Sequence, residues 1–439
     1  MADTTYMGMF GTVDLLSDER PLDWRTGLFR RYPNGKAQLT ALTALMPKKV
    51  TEDSKFNFWT KSFPRQGGTL TKIYTSASLA AAAEYDGQAS PAAIGQTLFV
   101  KAAEGVIQHF RPGHTVLIRL STNSGLDSIG ECTDRVINGA KSYIAVRMLE
   151  ADDNGGAVTL ESADTVMVVG NANADGGEMP QALSYRPTKK SNACQSFRTP
   201  VEITGRTIAT TNLRTGDPLL EQKREASEMH SVEMEKAFWN GAFFEGTGTN
   251  GKELTLTRGI ARQIREDNPE LCFDYRTIDN ASFNSKTWAQ AGYDFLEYIF
   301  EQIYRVGDEQ KMCFLGSGAL AGLNALARAT GQFQLRPADR AFGIRVMEWI
   351  NSFGVLDLKL HPLFSQEPTD RYKMIIIEPR HLTYRHMKGR DTHYVADRQA
   401  NGIDGKQGEY MSDCGLEYHF TDGSAVIDGI GQTNTTVDG

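Results

Sequence analysis

The most regular polarity pattern in the chain runs from Asp217 to Phe244, DPLLEQKREASEMHSVEMEKAFWNGAFF. It predicts one long helix. Asp217 is a good N-cap and Pro218 takes the first helical position, where its missing N–H costs nothing. Strong helix formers follow, and Gly241 and then Gly246 punctuate the far end. Charged side chains fall nearly all round, with Glu221–Arg224 and Glu233–Lys236 spaced i,i+3. Only a thin line through Leu219, Ala226, Met229, Val232 and Ala237 is apolar. A helix of about 27 residues spans roughly 40 Å, more than a compact core needs. Its polarity predicts charge pairing and shallow packing rather than deep burial. Taken alone, it also reads as an ordinary exposed helix.

The remaining patterns are shorter. Residues 1 to about 50 read as an extended arm with one short helix near Gly35–Leu45. SKFNFWTKSF, from Ser54, alternates as a strand through Phe56 and Phe58, with Trp59 beside them. The tract SLAAAAEYDGQASPAA suits an extended loop better than a packed element. Residues 98–185 read as all-β, with strands at Thr115–Leu120, Ser142–Leu149, Ala157–Leu160 and Thr165–Val169. Turn signals at Asn138-Gly139 and Asn154-Gly155 separate them, which suggests a small barrel or sandwich. A further extended segment, Gln195–Thr211, leads into the long helix. Beyond Gly259 the sequence is mixed α/β. A helix over Lys286–Val306 carries Leu296, Ile299, Phe300 and Ile303 on one face. A buried strand follows at Met312–Leu315, then a helix capped by Ser317 with Leu320, Leu323 and Ala327 inward. The rest is strand-rich: GIRVMEWI, LDLKL, MIIIE, GLEYHF and AVIDGI.

Composition narrows the role. The 439 residues suffice for two or three domains, and 40% hydrophobic with 23% charged is ordinary for a globular protein. A net charge of −7 argues against a general nucleic-acid binder. Between Arg20 and Lys49, however, seven Lys or Arg meet a single acid, Asp23. That stretch is either a solvated arm or one that lies against a polyanion or an acidic neighbour. The five scattered cysteines form no CxxC pair, so neither a disulfide framework nor a zinc site is expected, in keeping with a reducing cytoplasm. The N-terminus lacks the basic and apolar regions of a signal peptide, and no apolar run is long enough to cross a membrane.

Three motifs have the letters of chemistry without its context. Gly246 to Lys252 spells a phosphate loop, but a helix leads in, Glu253 follows the lysine and a strand leads out. Gly316, Gly318 and Gly322 follow a strand and open a helix, with a GxGxxxG spacing that reads better as a helix start than as a dinucleotide site. His381, His386 and His393 are spaced for neither a helix face nor a strand face, and Arg380, Arg385, Lys388 and Arg390 interleave them. No catalytic, cofactor-binding or metal-binding residue is expected, and no enzyme.

The order of the pieces is more telling than any one of them. FNFWTKSF (Phe56–Phe63), SFRTPVEITG (Ser196–Gly205), the helix Glu221–Gly241 and GKELTLTRGI come first. GIRVMEWINSFGVLDLKLHPLF (Gly343–Phe364), MIIIEP (Met374–Pro379) and GLEYHFTDGSAVIDGI (Gly415–Ile430) follow. Over residues 55–65 and 95–430 this series resembles tailed-bacteriophage major capsid proteins of the Hong Kong 97-like fold, in the subfamily with a β-rich insertion domain. At Lys61 the subfamily usually has a carboxylate.

The resemblance implies an α+β fold with an N-terminal arm (1–53), an extended β-hairpin loop (54–97 and 186–212) and a small inserted β-barrel or sandwich (98–185). It further implies a spine helix and peripheral domain (213–262), an axial α/β domain (263–385) and closing peripheral strands (386–439). The expected partners are copies of the chain in hexamers and pentamers, a scaffolding protein during assembly and a portal at one vertex. Packaged double-stranded DNA would be held non-specifically inside, a decoration protein is admitted, and no membrane is involved. Phe58, Trp59, Lys61, Phe197, Arg198, Glu202, Arg206, Arg224 and Arg258 are the expected inter-subunit contacts. Such a protein is synthesised in the bacterial cytoplasm and ends in the virion capsid. Long polar elements that lie flat, and loops without a core of their own, suit a thin shell held by neighbouring copies. The alternatives are a cellular encapsulin-like nanocompartment shell and a nucleotide-dependent enzyme built on Gly246–Lys252.

Overall fold

The computed structural model describes residues 46–61, 64–152, 159–173, 175–176, 179–210, 217–330, 336–341 and 344–436. The arm helix expected at Gly35–Leu45, and all of the basic stretch before Met46, lie outside these. The chain forms two compact units, one of Met1–Thr60 with Lys189–Gly439 and one of Lys61–Thr188. The fold is mixed α+β.

The first unit contains two large sheets. One has seven strands in the order Cys272–Asp274, Ala425–Asp428, Met374–Ile377, Gln310–Leu315, Val355–Leu360, Ile344–Ile350 and Arg336–Ala341. Its central strands are continuous apolar runs because both faces are covered. Cys313, Leu315, Met374 and Ile376 point into a core with Phe295, Leu296, Ile299, Phe300, Leu323 and Leu326 of the helices Trp288–Ile303 and Ser317–Thr330. Their neighbours Met312, Phe314, Ile375 and Ile377 point the other way, into a second core beneath the long helix. The AVID strand, expected among the closing strands, lies inside this sheet rather than beside GLEYHF.

The other sheet orders Lys48–Thr51, Leu382–Met387, Gly405–Tyr418 and Gln195–Thr204, with His393–Val395 also pairing Gly405–Tyr418. Its longest ladder is antiparallel, from Gln195 opposite Cys414 to Thr204 opposite Gly405. Along Gln195–Thr204 the residues alternate strictly. Phe197, Thr199, Val201 and Ile203 are buried, while Ser196, Arg198, Pro200, Glu202 and Thr204 are exposed. This is the period-2 pattern of a sheet with one covered face.

The long helix runs over Pro218–Asn240, 23 residues, with Asp217 Oδ1 capping the amides of Leu219 and Leu220. It stops at Gly241 rather than continuing to Phe244. A Cβ at Gly241 would sit 2.5 Å from both Ala237 O and Thr257 O, so the returning backbone touches the helix end there. The expected shallow packing is corrected as well. Ala226, His230, Met234 and Phe238, each four residues from the last, form a buried stripe with Glu235 and Trp239, whereas Met229 is 55% exposed. The thin apolar line was misplaced because the buried stripe includes a histidine and a glutamate. On the outside Arg224 pairs with Glu228 at 3.4 Å, and Lys236 approaches Glu367 at 4.0 Å.

The second unit is a closed barrel of six strands. Gly67–Tyr74, Thr97–Ala102, Tyr143–Met148, Asn123–Val136, His114–Leu120 and Thr165–Asn171 pair in that order and close. It therefore takes in Gly67–Tyr74, upstream of residue 98 where the strand pattern was expected to begin. Leu98, Val100, Val116, Ile118, Ile144 and Val146 fill the interior with Phe110. The small-residue tract does pack, contrary to expectation. Tyr85 is buried, donates its hydroxyl to Asp152 Oδ2 at 2.6 Å and accepts the Ala92 amide at 2.8 Å. The strand expected at Ala157–Leu160 is partly outside the described residues, and Leu160–Ser162 forms a 3-10 turn.

Candidate functional site

The strongest polar constellations of the first unit are buried structural clamps. Lys311 is the second residue of the strand Gln310–Leu315 and Glu378 follows Met374–Ile377, so antiparallel pairing brings the two side chains together. The Lys311 ammonium donates to Glu378 and, at 3.3 Å, to Val306 O, and lies 5.3 Å from the Tyr304 ring centroid. Glu378 Oε1 also accepts the Asp308 amide at 3.2 Å, and His381 Nε2 lies 3.2 Å from Oε2. Burial pushes the Lys311 pKa down, with the Glu378 carboxylate opposing.

Two further clamps fix the long helix and its platform. His361 Nε2 sits between Glu235 Oε1 at 2.7 Å and the Trp239 indole N–H at 3.2 Å, all three residues buried. His230 bridges Thr199 Oγ1 at 3.0 Å and Ser412 Oγ at 2.8 Å, which ties the helix to both strands of the longest ladder. Burial lowers the His230 pKa. Farther along the sheet, Glu417 takes Arg385 on one side and His419 Nε2, at 2.6 Å, on the other. None of these clamps combines an activated nucleophile with an open pocket.

The motifs with chemical letters resolve the same way. Gly246–Lys252 forms the end of a hairpin between Phe244–Thr247 and Glu253–Leu256. Its amides are used internally, Gly248 N donating to Lys252 O at 2.7 Å and Gly251 N to Gly248 O at 3.0 Å. The glycines at 316, 318 and 322 allow close packing. A Cβ would meet Arg371 O at 2.4 Å, the Tyr372 ring at 2.7 Å and Gly431 Cα at 2.8 Å, respectively. His381, His386 and His393 do not converge: their ring nitrogens meet Glu378, Met387 O and Asp391 O, respectively. Among the described residues no group of His, Cys, Asp and Glu is arranged to hold a metal, and no helix is long and apolar enough to cross a membrane.

The nine residues singled out in the sequence divide by exposure. Phe58 is buried with Phe56 and Cys194, edge-on to His419 at 4.9 Å. Phe197 is buried under the helix, edge-on to Phe238 at 6.3 Å. Arg258 stacks over Phe243 at 5.3 Å and pairs with Glu266 at 3.3 Å. The other six reach the surface. Trp59 is 62% exposed on the strand Lys55–Thr60. Lys61, Glu202 and Arg206 are exposed. Arg198 holds Glu409 through two bonds of 2.8 Å while remaining largely exposed, and Arg224 lies on the outer helix face. The clamps themselves were not singled out in the sequence. Their signal was a lysine and an acid at the ends of apolar strands, QKMCFL and MIIIE.

Comparison with known proteins supplies the identity. The curated major capsid protein of Pseudomonas phage PaMx41 is 22% identical over 97% of this chain and 96% of its own length. Among solved structures, a chain of Mycobacterium phage Bobi superposes over 94% of this chain and 96% of its own, with a TM-score of 0.42 and 4% identity. The encapsulin complex of Synechococcus elongatus superposes over 58% of this chain and 79% of its own, with a TM-score of 0.38 and 14% identity. A family model described as SU10 major capsid protein matches residues 32–431. The chain therefore belongs to the SU10 major capsid protein family, and it is the major capsid protein of a phage.

Proposed function

We propose that the chain assembles as hexamers and pentamers into the icosahedral head of a tailed double-stranded DNA phage. The observation that carries this reading is the family match, which spans all but the two ends of the chain. The architecture supports it. A polar helix roughly 35 Å long lies against one face of a sheet, the geometry of an element that stays flat in a thin wall. In the fuller reading, residues 1–53 are the arm and the barrel is a domain inserted in the extended loop. The protein folds in the host cytoplasm, engages a separate scaffolding protein, leaves one vertex to a portal and encloses DNA without reading its sequence.

Trp59, Lys61, Arg198, Glu202, Arg206 and Arg224 make the contacts between copies. Trp59 is the strongest candidate, because an exposed tryptophan is a typical anchor at the centre of an interface. The net charge of −7 keeps the wall from adhering to the genome, while the basic stretch Arg20–Lys49 faces an acidic neighbour or the DNA. Family membership makes a cellular nanocompartment the weaker alternative. Expression with and without the cognate scaffold, followed by electron microscopy and analysis of particle contents, tests the reading. Uniform shells only with scaffold are expected; uniform shells from this chain alone would remove the scaffold requirement.

A further inference from the structure

In the second unit, the segment Gln181–Tyr185 forms a strap beside the start of the barrel strand His114–Leu120. Among the described residues no backbone-to-backbone hydrogen bond holds it, so side chains must. Arg111 Nη1 donates to Gln181 O at 2.7 Å, and the Tyr185 ring stacks on His109 at 5.5 Å. Gln66 Nε2 donates to the Tyr185 hydroxyl at 3.3 Å. The body beneath is pinned separately. Arg135 Nη1 donates to Gln108 O at 3.1 Å and Phe110 O at 2.9 Å, and Gly113 N donates to Cys132 O at 2.8 Å. Loss of the Arg111 contact therefore frees the strap and leaves the barrel in place.

A histidine aims that arginine. Arg111 Nε donates to His114 Nε2 at 3.0 Å, and His114 is only 4% exposed. A guanidinium can only donate, so His114 must be neutral, with a bare lone pair on Nε2 and its proton on Nδ1. Nδ1 is buried without a partner among the described residues, so a second proton would leave the ring with no acceptor on either side. Arg111 makes no ion pair among the described residues, and an imidazolium would face its charge uncompensated. We propose that His114 is an acid-sensitive latch: neutral, it holds Arg111 on Gln181 O; protonated, it drives Arg111 away and releases the strap. The groups facing His114 are Arg111 on its own loop, Asn171 on Thr165–Asn171, Glu131 and Cys132 on Asn123–Val136, and the strap itself. Burial and the Arg111 charge both lower the His114 pKa in the latched state. The released state escapes the repulsion and takes up the proton first. As pH falls below about 6.5, the balance moves toward release by at most about tenfold per pH unit. The latch lies within one subunit and does not depend on the shell reading.

The test is hydroxyl-radical footprinting of the unassembled full chain at pH 7.5 and pH 5, read by mass spectrometry at Tyr185. Wild-type Tyr185 oxidation should rise at least about threefold on acidification, while the fully buried Tyr275 stays unchanged. His114→Gln offers Arg111 a carbonyl oxygen that does not titrate, so its Tyr185 should stay protected at both pH values. His109→Phe keeps a ring against Tyr185 and should retain the wild-type rise. If His114→Gln misfolds, Arg111→Gln serves: without the second positive charge the rise should shrink. A flat wild-type profile overturns the proposal, as does a rise that persists in His114→Gln or is undiminished in Arg111→Gln. A rise shared by Tyr275 is general acid unfolding and overturns it too.

Discussion

Lys311 and Glu378 pair where neither side chain exposes more than 1% of its surface. The pair lies on the sheet face that carries Cys313 and Ile376, beside the Tyr304 ring, where adjacent antiparallel strands bring the two residues opposite each other. Such a pair need not add stability over a well-packed apolar replacement, but removing one partner leaves a buried charge. Glu378→Ala or Lys311→Ala should each cost about 3–5 kcal/mol, whereas the double change Lys311→Met with Glu378→Leu should recover most of it. Chemical denaturation of the unassembled chain measures all three. Additive single effects with no recovery would contradict the clamp.

Two glycines make room for that carboxylate. A Cβ at Gly307 would fall 2.0 Å from Glu378 Oε1, and one at Gly423 2.2 Å from it. Gly307 also has φ +88°, a conformation unfavourable for side chains. Gly307→Ala should destabilise by at least about 1–3 kcal/mol, and more than Gly423→Ala, which has the clash without the backbone strain. Melting temperatures of the two variants give the ranking.

His230 makes the helix–sheet junction sensitive to acid. Its folded-state pKa is lowered by burial, so the unfolded chain takes up the proton first. Its contribution is complete above pH about 6.5 and is lost as pH falls below that value. The loss is at most about 1.4 kcal/mol per pH unit. The groups around it are Thr199, Ser412, Glu233, Phe197 and Tyr410. His230→Gln should flatten the melting profile between pH 7 and 5. His109 and His114 in the barrel, also lowered, should leave a residual slope.

Glu417 acts at lower pH. Burial raises its pKa, but the hydrogen bonds from His419 and Arg385 outweigh it and hold the carboxyl below its ordinary range. Its stabilisation is present above the unfolded pKa of about 4.5 and is lost as pH falls through the lowered folded value. Glu417→Gln should melt lower at pH 7 and approach wild type as the pH falls below about 4.5, a trend that differential scanning fluorimetry can follow.

Much of this fold was legible in the sequence because apolar strands and helix stops leave strong local signals. MIIIE and MCFL read as buried strands because both faces are covered, and GLEYHF read as a strand whose first four residues close the longer strand Gly405–Tyr418. The long helix was found by its cap and its propensity, yet its buried face was missed. A stripe that runs through His230 and includes Glu235 looks polar until Ser412 and His361 are seen to satisfy it. The packing of Tyr85 was equally hidden, because its hydroxyl partner Asp152 lies 67 residues away. The contact residues were the least legible. Phe58 and Phe197 were selected by residue type and position in the resemblance, and only burial separates them from Trp59, one residue from Phe58.

Trp59 should behave oppositely to those two phenylalanines. Trp59→Ala removes an exposed side chain and should change the melting temperature of the unassembled chain little. In an interface the same change costs about 2 kcal/mol or more, roughly a 30-fold loss of affinity per contact. Phe197→Ala should instead destabilise the subunit by about 3–5 kcal/mol before assembly is reached.

The most direct test of the central claim is electron microscopy of the wild-type chain, alone and co-expressed with its scaffold. Closed shells, or rings of six and five subunits, are the predicted result. A protein that stays monomeric in both conditions would contradict it.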